Sequence, residues 1–271
     1  MLSSWYNGPS DLNWMSGWEK SEVPHDYTAG YDMHLIVWSG ESRTTFSTPW
    51  GTACGKAYPV SQGFLGDMER LARIFRPPSG RKLFVTMFTE LQTYACSGNE
   101  WSGSPQTTAY YEALKSQYTA AMGIFHRLAP GSQVSLGWGG WQARWNGRAT
   151  GAGKSLFKHF AGVMRASDFE SFQMMNSTTD TTDILAMTKQ LHHYGPVMLA
   201  YYQPPEGNVS VSREHVKAVL APAFLERLTG LGLFSMAFTK EDFFKNDPAS
   251  LGAVEEAVRG FGCTLCAELR S

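Results

Sequence analysis

The sequence predicts an α/β protein built on a parallel sheet, of the (β/α)8 barrel type. Three observations carry that reading. Short apolar runs alternate with amphipathic helical stretches from Met33 onward, and such alternation means parallel strands joined by crossovers. The run Leu83-Phe-Val-Thr-Met-Phe88 is almost continuously apolar, as a parallel strand covered on both faces must be. It delivers Glu90 at its C-terminal end, where a barrel carries its reactive groups.

The elements follow in order. The whole chain, 1–271, reads as one domain, with residues 1–31 an irregular N-terminal segment rich in Trp, Gly, Asn and Ser. His34 to Trp38 is a short strand, followed by a Gly/Ser/Thr loop that reaches Val60. Phe64, Met68, Leu71, Ala72 and Phe75 share one face of a helix, which Pro77-Pro78-Ser79-Gly80 stops. After the Glu90 strand comes a polar loop containing Trp101, then a helix from Tyr110 to Leu128. Gln133 to Trp138 is a strand, Lys154 to Met164 a short helix and Phe169 to Met175 a strand. Ile184 to His193 is a helix, Val197 to Tyr202 a strand, Glu214 to Leu228 a long helix and Leu233 to Phe238 the last strand. A terminal helix begins near Leu251.

Six strands and an irregular start leave two architectures. One is an eight-stranded barrel whose first two strands are degenerate within residues 1–31. The other is an open doubly wound sheet, which needs a Gly-rich phosphate turn after its first strand. No such turn is present. Gly151-Ala-Gly153-Lys154-Ser155 lacks the required earlier Gly, because Arg148 stands there.

A formal net charge of −1 argues against nucleic acid or an anionic membrane as partner. No apolar run approaches the roughly 18 residues of a membrane span, and Met1 to Gly8 lacks the regions of a signal peptide. Location therefore stays open: cytosolic, processed, exported by another route, or assembled into a larger particle. Cys263-x-x-Cys266 has no second pair and no His ligands nearby, which leaves no metal site to expect; no cofactor is expected either. Cys54 and Cys96 lie in loops after successive strands, where a bridge is geometrically conceivable.

Aromatic residues make up 13% of the chain. Trp38, Trp101, Trp138, Trp141, Tyr202 and Phe238 fall at or just past strand ends. Rings there stack on the C–H faces of sugars, plug the barrel mouth or meet a partner protein. Further acids at strand C-terminal ends are Glu41, Asp180, Glu206 and the pair Glu241-Asp242. Glu41 is placed to orient Glu90, to raise its pKa by like charge, or to bind sugar hydroxyls. Asp168 and Glu170 precede their strand's apolar residues, so they belong at the bottom of a barrel and read as structural.

From Gly63 to Phe238 the chain resembles glycoside hydrolase family 26, the β-mannanase and lichenase group. Gly63-Phe-Leu-Gly-Asp67 is similar to the segment before that family's fourth strand. Leu83 to Glu90 resembles the fourth strand, with Thr89-Glu90 where the family has His-Glu. Val134 to Trp138 and Asp168 to Met175 resemble the fifth and sixth strands, and Pro196 to Ala200 the opening of the seventh. The resemblance implies Glu90 as acid/base. It also places Tyr201 where the family has its nucleophile Glu, and the nearest following acid is Glu206. The expectation is a hydrolase that cleaves a cell-wall or capsular type of polysaccharide, with Glu90 and Glu206 catalytic. Trp38, Glu41, Trp101, Trp138, Trp141, Tyr201 and Tyr202 would bind substrate. The alternative is a catalytically degenerate barrel that holds glycan or builds an assembly.

Overall fold

Residue parity along each strand decides how the sheet is used. The computed structural model describes residues 1–147, 153–205, 209–238 and 247–268. Seven parallel strands run in chain order across one sheet: β1 (Leu2–Tyr6), β2 (Met33–Val37), β5 (Leu83–Met87), β6 (Ser132–Gly139), β7 (Glu170–Met175), β8 (Val197–Gln203) and β9 (Leu233–Phe238). An antiparallel hairpin, β3 (Arg43–Thr48) and β4 (Gly51–Lys56), is inserted after β2. On β5, Leu83, Val85 and Met87 join the large core between sheet and helices, while Phe84 faces the other way.

That second face is the inside of a curved sheet. Phe84 packs edge-on to Phe169 at 5.7 Å and lies 5.8 Å from Phe234, together with Met198 and Ala200. Along a flat sheet Phe169 would lie two strands from Phe84 and Phe234 four, too far for these rings to meet, so the sheet wraps around them. A polar layer accompanies them. His34 is fully buried and bridges Ser3 Oγ at 3.2 Å and Thr86 Oγ1 at 2.9 Å. Burial pulls its pKa down to about 3 and keeps the ring neutral.

The fold is thus the parallel α/β barrel type, but with seven strands and an open seam among the described residues. No ladder joins β1 to β9. Residues 1–31 supply one strand where two were expected. Pro9 starts a tight turn, and α1 (Leu12–Met15) and α2 (Glu22–Thr28) then bury Leu12, Met15, Val23 and Tyr27. A second strand would need those side chains in alternation; here they fall at helical spacing.

The helices cover the outer face. Ser61 caps α3 (Gln62–Ile74) by accepting from Phe64 N–H at 3.1 Å, and Ser104 caps α4 (Pro105–Leu128) through Thr107 N–H at 3.1 Å. With Pro105 in its first turn, α4 begins five residues before the expected Tyr110. It is followed by α5 (Phe157–Ala166) and α6 (Asp180–Leu191). The single helix expected over Glu214 to Leu228 is two, α7 (Val209–Val219) and α8 (Pro222–Gly230). Pro222 lacks the N–H that would continue α7. The last helix, Pro248–Glu268, contains Cys263 and Cys266.

The loop expected from Ser39 to Val60 is largely the β3–β4 hairpin. It is pinned by a Cys54–Cys96 disulfide to the segment that follows Glu90. Tyr110 sits where a Cβ on Gly55 would come within 2.3 Å, so only glycine lets the hairpin lie on α4. Tyr6 and Tyr58 both donate to Asp67 Oδ2, at 2.8 and 2.7 Å, which ties β1 and the hairpin's exit to α3.

At the bottom of the barrel, Asp168 accepts from Val134 N–H and pairs with His126, both at 2.8 Å. Glu170 is fully buried and neither oxygen accepts a well-formed hydrogen bond. Burial drives its pKa well above the carboxylate range, and the nearby Trp138 indole offsets this in part.

Two outcomes are expected. Phe84→Ala should cost about 3–5 kcal/mol in chemical denaturation, because it empties the inner ring cluster. Glu170 binds its proton more tightly folded than unfolded, so stability falls as pH rises through the unfolded pKa of about 4.3 towards the raised folded value. Glu170→Gln should flatten that dependence and raise the melting temperature at neutral pH; a variant no more stable than the parent there would refute the assignment.

Candidate active site

The strand end that carries Glu90 is built by an unusual turn. Phe88 and Glu90 both take positive φ, 57° and 61°. For a bulky Phe this costs on the order of 1–3 kcal/mol and persists only where packing enforces it. Phe88 is buried against Phe64 at 5.2 Å and Tyr94 at 6.1 Å. Thr89 N–H meanwhile donates to Val37 O at 3.0 Å. The turn folds back over β6 at Gly137, where a Cβ would fall 2.7 Å from Thr89 Cα. The result is a Glu90 carboxylate turned into the mouth of the barrel.

That mouth holds a cavity of about 470 Å³ lined by Trp5, Asn7, Trp38, Thr89, Glu90, Gln173, Met175 and Tyr201. Every one of these comes from the C-terminal end of a sheet strand or the residues just past it. Trp5 meets Tyr201 edge-on at 4.7 Å, so the first and eighth strands form adjoining walls. Glu90 is the one carboxylate among the described residues lining the cavity.

Three influences set the Glu90 proton affinity. Burial raises it. The nearby Lys56 ammonium and a hydrogen bond donated by Gln173 Nε2 to Glu90 Oε1 lower it, and the net shift is upward. Lys56 ends β4 and is itself buried. Burial pulls its pKa down to about 8, with Glu90 and Glu41 opposing that and Arg43 adding to it. Thr89 Oγ1 and Gln173 Oε1 are buried without a hydrogen-bond partner.

Of the expected site residues, the structure brings Trp38, Glu90 and Tyr201 together. Trp138 and Tyr202, expected beside Glu90, are fully buried on the opposite face. Trp138 shares parity with Val134 and Leu136 and packs on Phe157 of α5 at 4.8 Å. Tyr202 is displaced by a bulge. Leu199 pairs with Phe172 and Tyr201 with Gln173, so Ala200 is the extra residue. The bulge turns Tyr201 inward and sends the Tyr202 hydroxyl to Asp180 Oδ2 at 2.6 Å.

Trp101 is stacked on His159 at 3.6 Å, away from the cavity, and Trp141 donates to Asn99 Oδ1 at 2.9 Å. Glu41 accepts from Tyr58 N–H at 2.8 Å and is not among the groups that shift Glu90. The expected like-charge neighbour is in fact a cation, Lys56. Glu206, Glu241 and Asp242 lie outside the described residues, as do Arg148 to Ala152 of the Gly-rich stretch. Among the described residues no cluster of His, Cys, Asp or Glu is arranged to hold a metal ion, and no helix is long and apolar enough to cross a membrane.

Trp5, Asn7, Gln173, Met175 and Lys56 were missed by sequence reasoning. Gln173 left a signal, a polar residue sharing inward parity with Ser171 near the end of β7. Trp5 left another, since Leu2 to Tyr6 is a five-residue strand inside a segment read as irregular.

No protein-family model and no curated protein matches this sequence. Solved structures do match in fold. The chain is similar to a calcium-binding mutant of Bacteroides uniformis β-glucuronidase 2 at 9% identity and TM-score 0.52, with 80% of this chain and 24% of that one covered. It is similar to the Ignisphaera aggregans GH53 catalytic domain at 11% identity and TM-score 0.52, covering 88% of this chain and 72% of the other. Fungal β-1,4-galactanases align at 12% identity and TM-score 0.50, covering 88% and 75%. The chain thus spans about a quarter of the β-glucuronidase. What is shared is the parallel α/β barrel fold, and these neighbours do not single out family 26.

Gln173→Leu should raise the Glu90 pKa further, because it removes a hydrogen bond that favours the carboxylate. Carbon-13 titration of the Glu90 carboxyl checks this; an unchanged or lower midpoint would contradict the assigned bond.

Proposed function

We propose that the chain is a glycoside hydrolase of the family 26 type acting on a cell-wall or capsular polysaccharide, with Glu90 as general acid/base. The observation that carries this is a half-buried carboxylate of raised proton affinity in a cavity walled by Trp5, Trp38 and Tyr201. The carboxylate can hold a proton for a leaving glycosidic oxygen, and the indoles offer platforms for the apolar faces of sugar rings. The sheet order supports the carry-over, because Glu90 follows β5 and Tyr201 lies on β8, the fourth of four consecutive strands β5-β6-β7-β8. That is the spacing between the fourth and seventh strands of the resemblance.

Hydrolysis by two carboxylates needs a second acid roughly 5–9.5 Å from the first. Glu206, three residues beyond the end of β8, is the proposed partner. In the sequence it follows Pro204-Pro205, a stiff step directly after β8.

One observation favours the second reading, a barrel that binds glycan without cleaving it. Tyr201, which stands where the resemblance has the nucleophile, lines the cavity. Product analysis after incubation with a panel of cell-wall and capsular polysaccharides separates the two. Cleavage supports the hydrolase; tight binding with no product supports the binding protein.

If cleavage is found, Glu90→Gln should lower kcat by about 10²–10⁴-fold with the fold intact, since Gln keeps the shape but has no proton to give. Glu206→Gln should cost a comparable factor. Full activity in Glu90→Gln would remove Glu90 from the mechanism.

A further inference from the structure

We propose that Lys56 is the positioning residue of the Glu90 site, and that the Cys54–Cys96 disulfide holds it there, so that the site is sensitive to the redox state of this pair. The inference rests on the reading of Glu90 as the acid/base. Its ground is the way the hairpin is fastened. Lys56 is the last residue of β4, two positions after Cys54. Its N–H donates to Tyr94 O at 3.1 Å, and Cys96 N–H donates to Cys54 O at 3.1 Å. An antiparallel bridge joins Gly55 to Ala95 between them. Tyr110 adds a hydroxyl bond to Lys56 O at 3.0 Å. The disulfide therefore locks a short ladder between the hairpin and the segment that leaves Glu90.

The side chain is as constrained as the backbone. The Lys56 ammonium donates to Ser39 O and lies over the rings of Tyr94 at 4.1 Å and Trp38 at 5.0 Å. Trp38 is a wall of the cavity. Lys56 thus supports two functional parts, the aromatic wall by a cation–π contact and the acid by its charge. It does not line the cavity itself. The charged and titratable groups around it are Glu90, Glu41, Arg43 and Tyr94. Glu90 is the one among these that lines the cavity.

Reduction by dithiothreitol would convert the Cys54–Cys96 bond to two thiols while the reagent closes to its cyclic disulfide. The ladder would then lose its covalent tie. Lys56 would be free to leave its buried position, where its own charge is poorly solvated.

The test is a carbon-13 titration of the Glu90 carboxyl, assigned by its loss in Glu90→Gln. Four samples are compared: oxidised protein, protein reduced with dithiothreitol and shown by circular dichroism to remain folded, Lys56→Met, and Lys56→Arg. Losing the cation should move the Glu90 midpoint upward in the reduced protein and in Lys56→Met, and Lys56→Arg should restore it towards the oxidised value. An unchanged midpoint in Lys56→Met would overturn the positioning role. A reduced, folded protein with the oxidised midpoint would overturn the role of the disulfide. If Lys56→Met fails to fold, the reduced protein decides the question. Because the readout is a midpoint and not a rate, failure of the hydrolase reading, seen as no cleavage of any glycan, is a separate result.

Discussion

The turn Phe88-Thr89-Glu90 converts a buried strand into a site. Up to Met87, β5 behaves as any covered parallel strand, alternating between helices and barrel interior. The two positive-φ residues then break the alternation and redirect the chain. This works only because Phe88 is seated among Phe64, Tyr94 and Tyr118, and because Gly137 leaves room on β6. Burial of one ring offsets the backbone strain of the whole turn. The acid, its Gln173 donor and the neighbouring Lys56 all take their positions relative to it.

Much of the fold was legible in the chain. β9 was read at its true bounds, and β5 to β8 within two residues or so at either end. Apolar run, polar loop and amphipathic helix recur often enough to force a parallel sheet. The hairpin was not legible, because Arg43-Thr-Thr-Phe-Ser-Thr48 is polar and largely exposed; on β4 the short residues Ala53 and Gly55 are buried along with Lys56, Gly55 against Tyr110 of α4, and the disulfide adds a tie. The first strand was hidden for a related reason. Leu2-Ser-Ser-Trp-Tyr6 has few aliphatic residues and is followed at once by turn chemistry.

The site was legible in part. Strand polarity was enough to find Glu90 and Trp38, since both follow the end of an apolar run. Tyr202 was expected as a cavity wall from its place at a strand's C-terminal end, and the bulge at Ala200 turns Tyr201 inward instead. A bulge is a long-range property of two strands, and nothing local in Val197 to Gln203 announces it. Trp138 was misplaced differently: its parity with Val134 and Leu136 already pointed it at the helices. Lys56 was invisible because its partnership with Glu90 depends on the disulfide-clamped hairpin.

The edge-on contact of Trp5 with Tyr201 reaches from the edge strand β1 past the open seam to β8. Elsewhere, separating neighbouring strands must break a ladder of hydrogen bonds. Across the open end the described residues supply this ring contact between β1 and β8 in place of a ladder. An occupant of the cavity that touches both rings therefore acts as a staple. Opening the seam would also mean losing the occupant, so its binding free energy adds to the local unfolding free energy of the first strand. The cavity's ligand and the integrity of the barrel wall are in this way thermodynamically linked. Slowed amide exchange across Leu2 to Tyr6 would register an occupied site even where no bond in the ligand is broken.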